Sequence, residues 1–279
     1  MKVAVCLSGY LRKYKDLYGN FESCILRPLR EKGYEVDIFL STWTETNSNS
    51  CFSSKQGNGE YEGEKITNWT EVNCLYNILH GTAYDFEAKK EQFDIKKYDP
   101  HVDLKNLHPN IHEDGVLFGL AMFYHRYRCN WLKSSHEVLG NFRYDYVIMM
   151  RPDLFFLKPL DIENINPNLL NGRTHYSDLF FIASSEIIDQ VAGVWLNVQN
   201  IVNRHGHNKF EWFEVYCPEH FLEWHLKDVG IGLPQRCELG EDFCWVYPRR
   251  HFFATCAEIL AKIGRIEDIN KVYRYFEEL

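Results

Sequence analysis

A strand, a glycine turn, a helix and a second strand follow one another within the first 43 residues, and this order constrains the fold more than any other feature of the chain. Residues 3–7, VAVCL, form a continuous apolar run of strand length that Ser8-Gly9 ends with a tight turn. Leu11, Tyr14, Tyr18, Phe21, Ile25 and Leu29 then recur at intervals of three and four, which is one face of a helix. EVDIFLSTW, residues 35–43, reads as the second strand. Two strands joined through a helical crossover run parallel, so a parallel sheet is expected.

From Thr44 to Glu64 the chain turns polar, TETNSNSCFSSKQGNGEYEGE, and reads as a long surface loop. Residues 65–115 carry mixed signals that suit one or two short helices, so 44–115 is expected to be an elaborated insertion. Order returns at Val116: Leu117, Leu120, Ala121, Tyr124, Tyr127 or Arg128, Trp131 and Val138 keep helical spacing as far as Gly140. YVIMM at 146–150 and DLFFIAS at 178–184 are further strands, and Ile187, Ile188, Val191, Trp195, Val198 and Val202 mark the helix after the second. Pro218 suits the first turn of a helix through CPEHFLEWHL. DFCWVYP, 242–248, reads as a strand, and Ile266, Ile269, Val272, Phe276 and Leu279 as a closing helix. The alternation predicts an α/β chain, one domain over residues 1–279.

Composition narrows the partners. The formal net charge is −8 and no Lys/Arg block stands out, which argues against nucleic acid. No apolar run approaches the roughly 18–20 residues of a membrane span. The opening MKVAVCLSGY lacks a signal-peptide pattern, so the expected location is cytoplasmic. The nine cysteines (Cys6, Cys24, Cys51, Cys74, Cys129, Cys217, Cys237, Cys244 and Cys256) are scattered and never spaced C-x-x-C. That speaks against a disulfide framework or a structural zinc site and for small buried hydrophobes in a reducing compartment.

In open α/β sheets, ligands bind beyond the carboxyl ends of the strands. Applied here, the rule singles out Ser8, Gly9, Arg12, Thr42, Trp43, Arg151 and Asp153. A nucleotide diphosphate leaving group needs guanidinium groups, backbone N–H donors at a helix start, or a divalent cation held by carboxylates. SGYLR offers the first two through Arg12 and Gly9; it also suits a plain glycine turn with a surface arginine. Asp153 offers the third, since a carboxylate at a strand end can hold Mg or Mn. The competing reading of Arg151-Pro152-Asp153 is a packed ion pair closing a strand, with Pro152 stopping the ladder.

Taken in order, VAVCLSGYLR, VDIFLSTW, AMFYHRYRCNWLK, YDYVIMMRPDLFF, DLFFIASSEIID and PEHFLEWHL resemble small GT-A-type glycosyltransferases of bacterial capsule and lipopolysaccharide clusters and of large algal viruses. The similarity skips the polar segment 44–115. Within that group the chain resembles the chlorovirus glycan-building enzymes, a xylosyltransferase being the narrower match. The resemblance implies a Rossmann-like GT-A-type domain with a mostly parallel central sheet flanked by helices. It implies donor contacts from Ser8, Gly9 and Arg12 to the nucleotide or its phosphates, and from Thr42 and Trp43 to the base or ribose. Asp153 would take the second carboxylate position of a metal motif, with Mn or Mg as the cation. Arg151 departs from that motif, a cation standing where an acid is usual, and puts metal dependence in doubt. The length agrees, because 279 residues are tight for the alternative architecture of two Rossmann domains.

An inverting transferase needs a carboxylate to take the acceptor hydroxyl's proton. The candidates are Glu219, Asp178 and Asp242, with Glu241 beside the last. Glu219 is taken first, although an acid at a helix start also satisfies the dipole. His205 and His207 in NRHGHNKF lack a third metal ligand fixed by spacing, and FEWFEVY, 210–216, suits a sugar-stacking wall or core equally. The expected activity is transfer of a monosaccharide from a nucleotide sugar, UDP-linked and with UDP-xylose as one donor, to an oligosaccharide or glycoprotein glycan. The rivals are a metal-dependent nucleotidyltransferase or phosphohydrolase using Asp153 and Asp178, and a non-catalytic carbohydrate-binding protein.

Overall fold

The opening strand, β1 (Lys2–Ser8), is buried from Val3 onward and lies near the middle of a seven-stranded sheet. The structure, a computed structural model, describes residues 1–12, 14–45, 65–84, 113–172, 179–205, 218–236 and 243–245. The chain leaves β1 through Gly9, whose φ of +114° is a conformation that a side chain would strain. A single helical run follows: α1 (Tyr14–Phe21), a π-helical turn (Glu22–Leu26) and α2 (Arg27–Glu31). Pro28 has no N–H to offer the Cys24 carbonyl one turn back. That carbonyl accepts instead from the Leu160 N–H at 2.7 Å, which ties the helical run to a distant loop.

β2 (Glu35–Trp43) pairs parallel with β1, as the crossover requires. Beyond the polar loop come α3 (Trp69–Tyr76), capped by Asn68 through its side-chain oxygen, and β3 (His80–Tyr84), a parallel strand on β2. The sequence reading missed β3. HGTAY carries little apolar signal because an edge strand half open to solvent needs little.

The long helix α4 (Glu113–Gly140) carries the chain back across β1 to β4 (Tyr146–Met150) on its other side. β5 (Leu154–Phe156) leaves the sheet, β6 (Asn171–Gly172) and β7 (Phe180–Ala183) rejoin it with β7 antiparallel to both β4 and β6, and α5 (Ser185–Ala192), α6 (Val194–His205) and α7 (Pro218–Asp228) follow. β8 (Gln235–Arg236) pairs parallel with β6, and β9 (Phe243–Trp245) pairs antiparallel with β5 as a separate ribbon. The sheet order is β3-β2-β1-β4-β7-β6-β8, so the fold is mixed α/β with a mostly parallel sheet.

Alternation along the strands feeds two cores. Val3, Val5 and Leu7 face α1, α2, α3 and the β5 ribbon, while Ala4 and Cys6 face α4 to α7. One expectation fails on α4: Trp131 and Val138 are 46% and 79% exposed. The inward face at this end is Cys129, Asn130, Lys133 and Glu137, because the polar groups meet partners on α5 that an apolar stripe could not satisfy. The helix expected after β7 is two, α5 and α6, which meet at Gly193. The closing helix at 266–279 falls outside the described residues. No helix among the described residues is long and apolar enough to cross a membrane.

Candidate functional site

β1 sits between β2 and β4, and the chain moves outward from β1 in one direction through β2 and β3 and in the other through β4 and β7. The carboxyl ends of β1 and β4 therefore flank the point where the winding reverses, the place where open α/β sheets bind ligands. Leu7 is opposite Met150 in register, so the loop Ser8–Arg12 and the segment Arg151–Asp153 leave the sheet side by side.

There Arg12, Arg151 and Asp153 form one cluster. Asp153 is completely buried. Its Oδ1 accepts from Arg151 Nε at 2.8 Å, and its Oδ2 accepts from Arg12 Nη1 at 2.8 Å and from Arg151 Nη2 at 2.5 Å. Burial alone would push the Asp153 carboxyl up, but the Arg151 and Arg12 charges outweigh it and hold the group below the usual carboxylate range. The Arg12 and Arg151 side chains are less deeply buried, keeping 16% and 18% of their surface. Arg151 is fixed at its backbone as well, its N–H donating to the Leu179 carbonyl at 3.1 Å. The packed ion pair, one of the two alternatives in the sequence, is present, with Arg12 as a third member.

A clamp that the sequence reading did not single out aligns the two halves of the cluster. Asn20, buried on α1, donates to the Phe156 carbonyl at 2.9 Å and accepts from the Phe156 N–H at 2.7 Å. A side-chain amide can imitate a strand edge in this way because it carries one donor and one acceptor at backbone spacing. It pins β5, which follows Asp153, to the helix that follows Arg12. The only sequence signal was a polar residue among Leu17, Phe21 and Ile25.

On the other side of the sheet end, an aromatic wall backs the arginines. The Arg12 guanidinium lies 5.2 Å from the Tyr10 ring centre, Tyr10 lies 5.8 Å from Trp43, and Trp43 meets His125 edge-on at 4.1 Å. His125 comes from α4, and its Nδ1 is 2.9 Å from Ser41 Oγ. Burial drives its pKa down to about 3, so the ring is neutral. Thr42 and Trp43 are 0% and 3% exposed. Trp43 packs against Tyr10, the ring over which the Arg12 guanidinium lies. Ser8 is also buried, and the Gly9 N–H donates to the Ser41 carbonyl at 3.0 Å, which joins the two loops.

The expected proton acceptors are less defined. Glu219 lies in the first turn of α7, with its side chain outside the described residues. Asp178 and Asp242 lie outside them too, as do Glu241, His207 and the aromatic run 210–216. Their described neighbours are informative: Leu179 bonds Arg151, and β9 starts opposite Phe156 and ends opposite Leu154, next to Asp153.

A divalent cation does not fit the Asp153 cluster. Both carboxylate oxygens of Asp153 are engaged by guanidinium groups, which a cation would have to displace. Among the described residues no group of three His, Cys, Asp or Glu side chains is gathered to hold a metal. At the amino end of β4, a cleft of about 650 Å³ is lined by Arg143, Asp145, Ser185 and Glu186 among others. Its arginine is already shared between Glu137 and Asp189, so it offers an anion little. The arginine cluster at the carboxyl ends is the better candidate. No protein-family model matches the chain, and no curated protein sequence matches it.

Proposed function

We propose that the chain is a GT-A-type glycosyltransferase that moves a monosaccharide from a nucleotide sugar to a hydroxyl of a glycan acceptor. The observation that carries this reading is the convergence of Arg12 and Arg151 at the winding reversal, held by one buried carboxylate. Paired guanidinium groups suit a diphosphate because they match its oxygens in geometry and charge. The Tyr10 ring beside Arg12 suits a base or ribose.

In the reaction, the acceptor oxygen bonds to the anomeric carbon as the bond from that carbon to the diphosphate oxygen breaks. The leaving electron pair stays on the diphosphate, where Arg12 and Arg151 stabilise it. The acceptor's proton passes to a carboxylate, for which Glu219, Asp178 and Asp242 are the candidates. The resemblance favours a UDP-linked donor, UDP-xylose among them, and an oligosaccharide or glycoprotein glycan as acceptor.

The test is nucleoside diphosphate release from UDP-, GDP-, CDP- and dTDP-sugars, with and without glycan acceptors. Acceptor-stimulated release from one nucleotide class supports the reading, and Arg151→Gln should reduce it at least about tenfold. Glycan binding with no response to any nucleotide would replace the reading with a carbohydrate-binding protein.

A further inference from the structure

Trp131 stands on α4 with 46% of its surface open, and the guanidinium of Arg128, one helical turn back, lies 4.7 Å from its ring centre. Arg128 is half-buried and is held from a second side, its Nε donating to the Tyr84 hydroxyl at 2.7 Å. Two aromatic residues thus fix the plane of this guanidinium. Its Nη1 and Nη2 have neither a hydrogen bond nor an ion pair among the described residues. A cation oriented in this way without a carboxylate of its own, next to an open indole, is not explained by packing. Its place in the fold matters too. Tyr84 ends β3 opposite Trp43 in register, and Trp43 packs on Tyr10. The Tyr84 end of β3 is therefore at the carboxyl edge of the sheet, two strands from β1, which is about 10 Å at the usual strand spacing.

We infer that Arg128, Trp131 and Tyr84 form a subsite for an anionic sugar, one that carries a carboxylate or a phosphate. An open indole covers the apolar face of a sugar ring, and the two uncommitted nitrogen atoms of a fixed guanidinium take an oxyanion through paired N–H donors. A neutral sugar would leave the guanidinium without a counter-charge. A bare anion would leave the indole uncovered. The inference rests on the proposed function only in making this sugar part of the glycan acceptor. The binding itself needs no nucleotide and draws on no residue of the Asp153 cluster.

The experiment is calorimetric titration of the full chain, without nucleotide, with cellobiouronate, glucose-6-phosphate, cellobiose, acetate and inorganic phosphate. The expected result is that one of the two anionic sugars binds at least about tenfold more tightly than cellobiose and than either sugar-free anion, and more weakly as salt rises. Which of the two it is distinguishes a carboxylate from a phosphate. Arg128→Gln should remove the preference over cellobiose, and Trp131→Ala the preference over the free anions. Tyr84→Phe keeps the ring, drops the anchoring hydroxyl and should cost about threefold. Thermal midpoints of the variants, measured alongside, separate lost contacts from lost folding. Equal affinity for cellobiose and the anionic sugars, equal affinity for the free anions, or a preference that survives Arg128→Gln would overturn the subsite, as would binding of neither anionic sugar. Each of these outcomes leaves the nucleotide-sugar reading standing. If nucleoside diphosphate release fails while this titration succeeds, the subsite stands as part of a carbohydrate-binding surface and the transferase reading falls.

Discussion

Two charged clusters, one at each end of β4, differ in which of their groups they bury. At the amino end, Lys133, Glu137, Arg143 and Asp189 are balanced, two cations against two anions, and cross-linked further by Ser185, Ser134 and Asn130. Lys133 and Glu137 are 0% and 1% exposed, and Glu137 also accepts from the Tyr144 N–H. At the carboxyl end, Arg12 and Arg151 both bond Asp153, and the aspartate is sealed while the arginine side chains keep part of their surface. A balanced buried network fastens helices to strands. On the function proposed above, the cluster whose cationic side chains keep part of their surface is the one placed to meet a ligand of the opposite sign.

The largest effect should come from unbalancing the fastener. Glu137→Gln leaves Lys133 buried with less compensation and should cost about 3–5 kcal/mol in urea unfolding, with nucleotide affinity of the folded protein unchanged. Next is Asn20→Leu, which strips the Phe156 N–H and carbonyl of their side-chain partner. A loss of about 1–3 kcal/mol is expected by the same measurement, together with weaker nucleotide binding because β5 is released from α1. Arg12→Gln should reverse the pattern: nucleotide affinity falls about tenfold, or about 1.4 kcal/mol, with a smaller change in stability than Glu137→Gln gives. If Arg12→Gln destabilised more than Glu137→Gln and spared binding, the contrast between the clusters would collapse.

Acid should act more gently. Burial holds the His125 pKa near 3 against an ordinary value of 6.5, and burial lowers His225 as well. The unfolded chain takes up protons near pH 6.5 that the folded one refuses. Stability is therefore complete above that pH and falls below it, by about 1.4 kcal/mol per pH unit for His125 and in the same direction for His225. Asp153 and Asp189 have depressed values, so their contribution is present above about 3.8 and is lost only as pH drops through the lower folded values. His125→Phe should flatten the upper part of a pH series of thermal midpoints and leave the steep acid limb in place.

Several elements were legible because their signal is local. VAVCL, EVDIFLSTW and YVIMM are apolar runs of strand length, and each is a strand of the parallel part of the sheet. Gly9 marked the turn, and Pro218 marked the start of α7. The strand-end rule selected Arg12, Arg151 and Asp153 before any contact among them was known. What stayed hidden depends on partners far along the chain. Trp131 and Val138 were assigned inward by hydrophobicity, but Lys133 and Glu137 hold that face because Asp189 and Ser185 come from another helix to meet them. Asn20, a polar residue on an apolar helix face, finds its backbone partners on Phe156, 136 positions away.

The sequence by itself determined the alternation of strands and helices, the parallel pairing of β1 with β2, and which residues stand at the strand ends. Those follow from periodicity and turn chemistry within a few residues. Only the tertiary structure decided the strand order, the antiparallel return of β7, and the meeting of Arg12 with Asp153 across 141 positions. It also decided that Asp153 is buried beneath two guanidinium groups, since the charge surrounding a side chain is set by everything that folds against it.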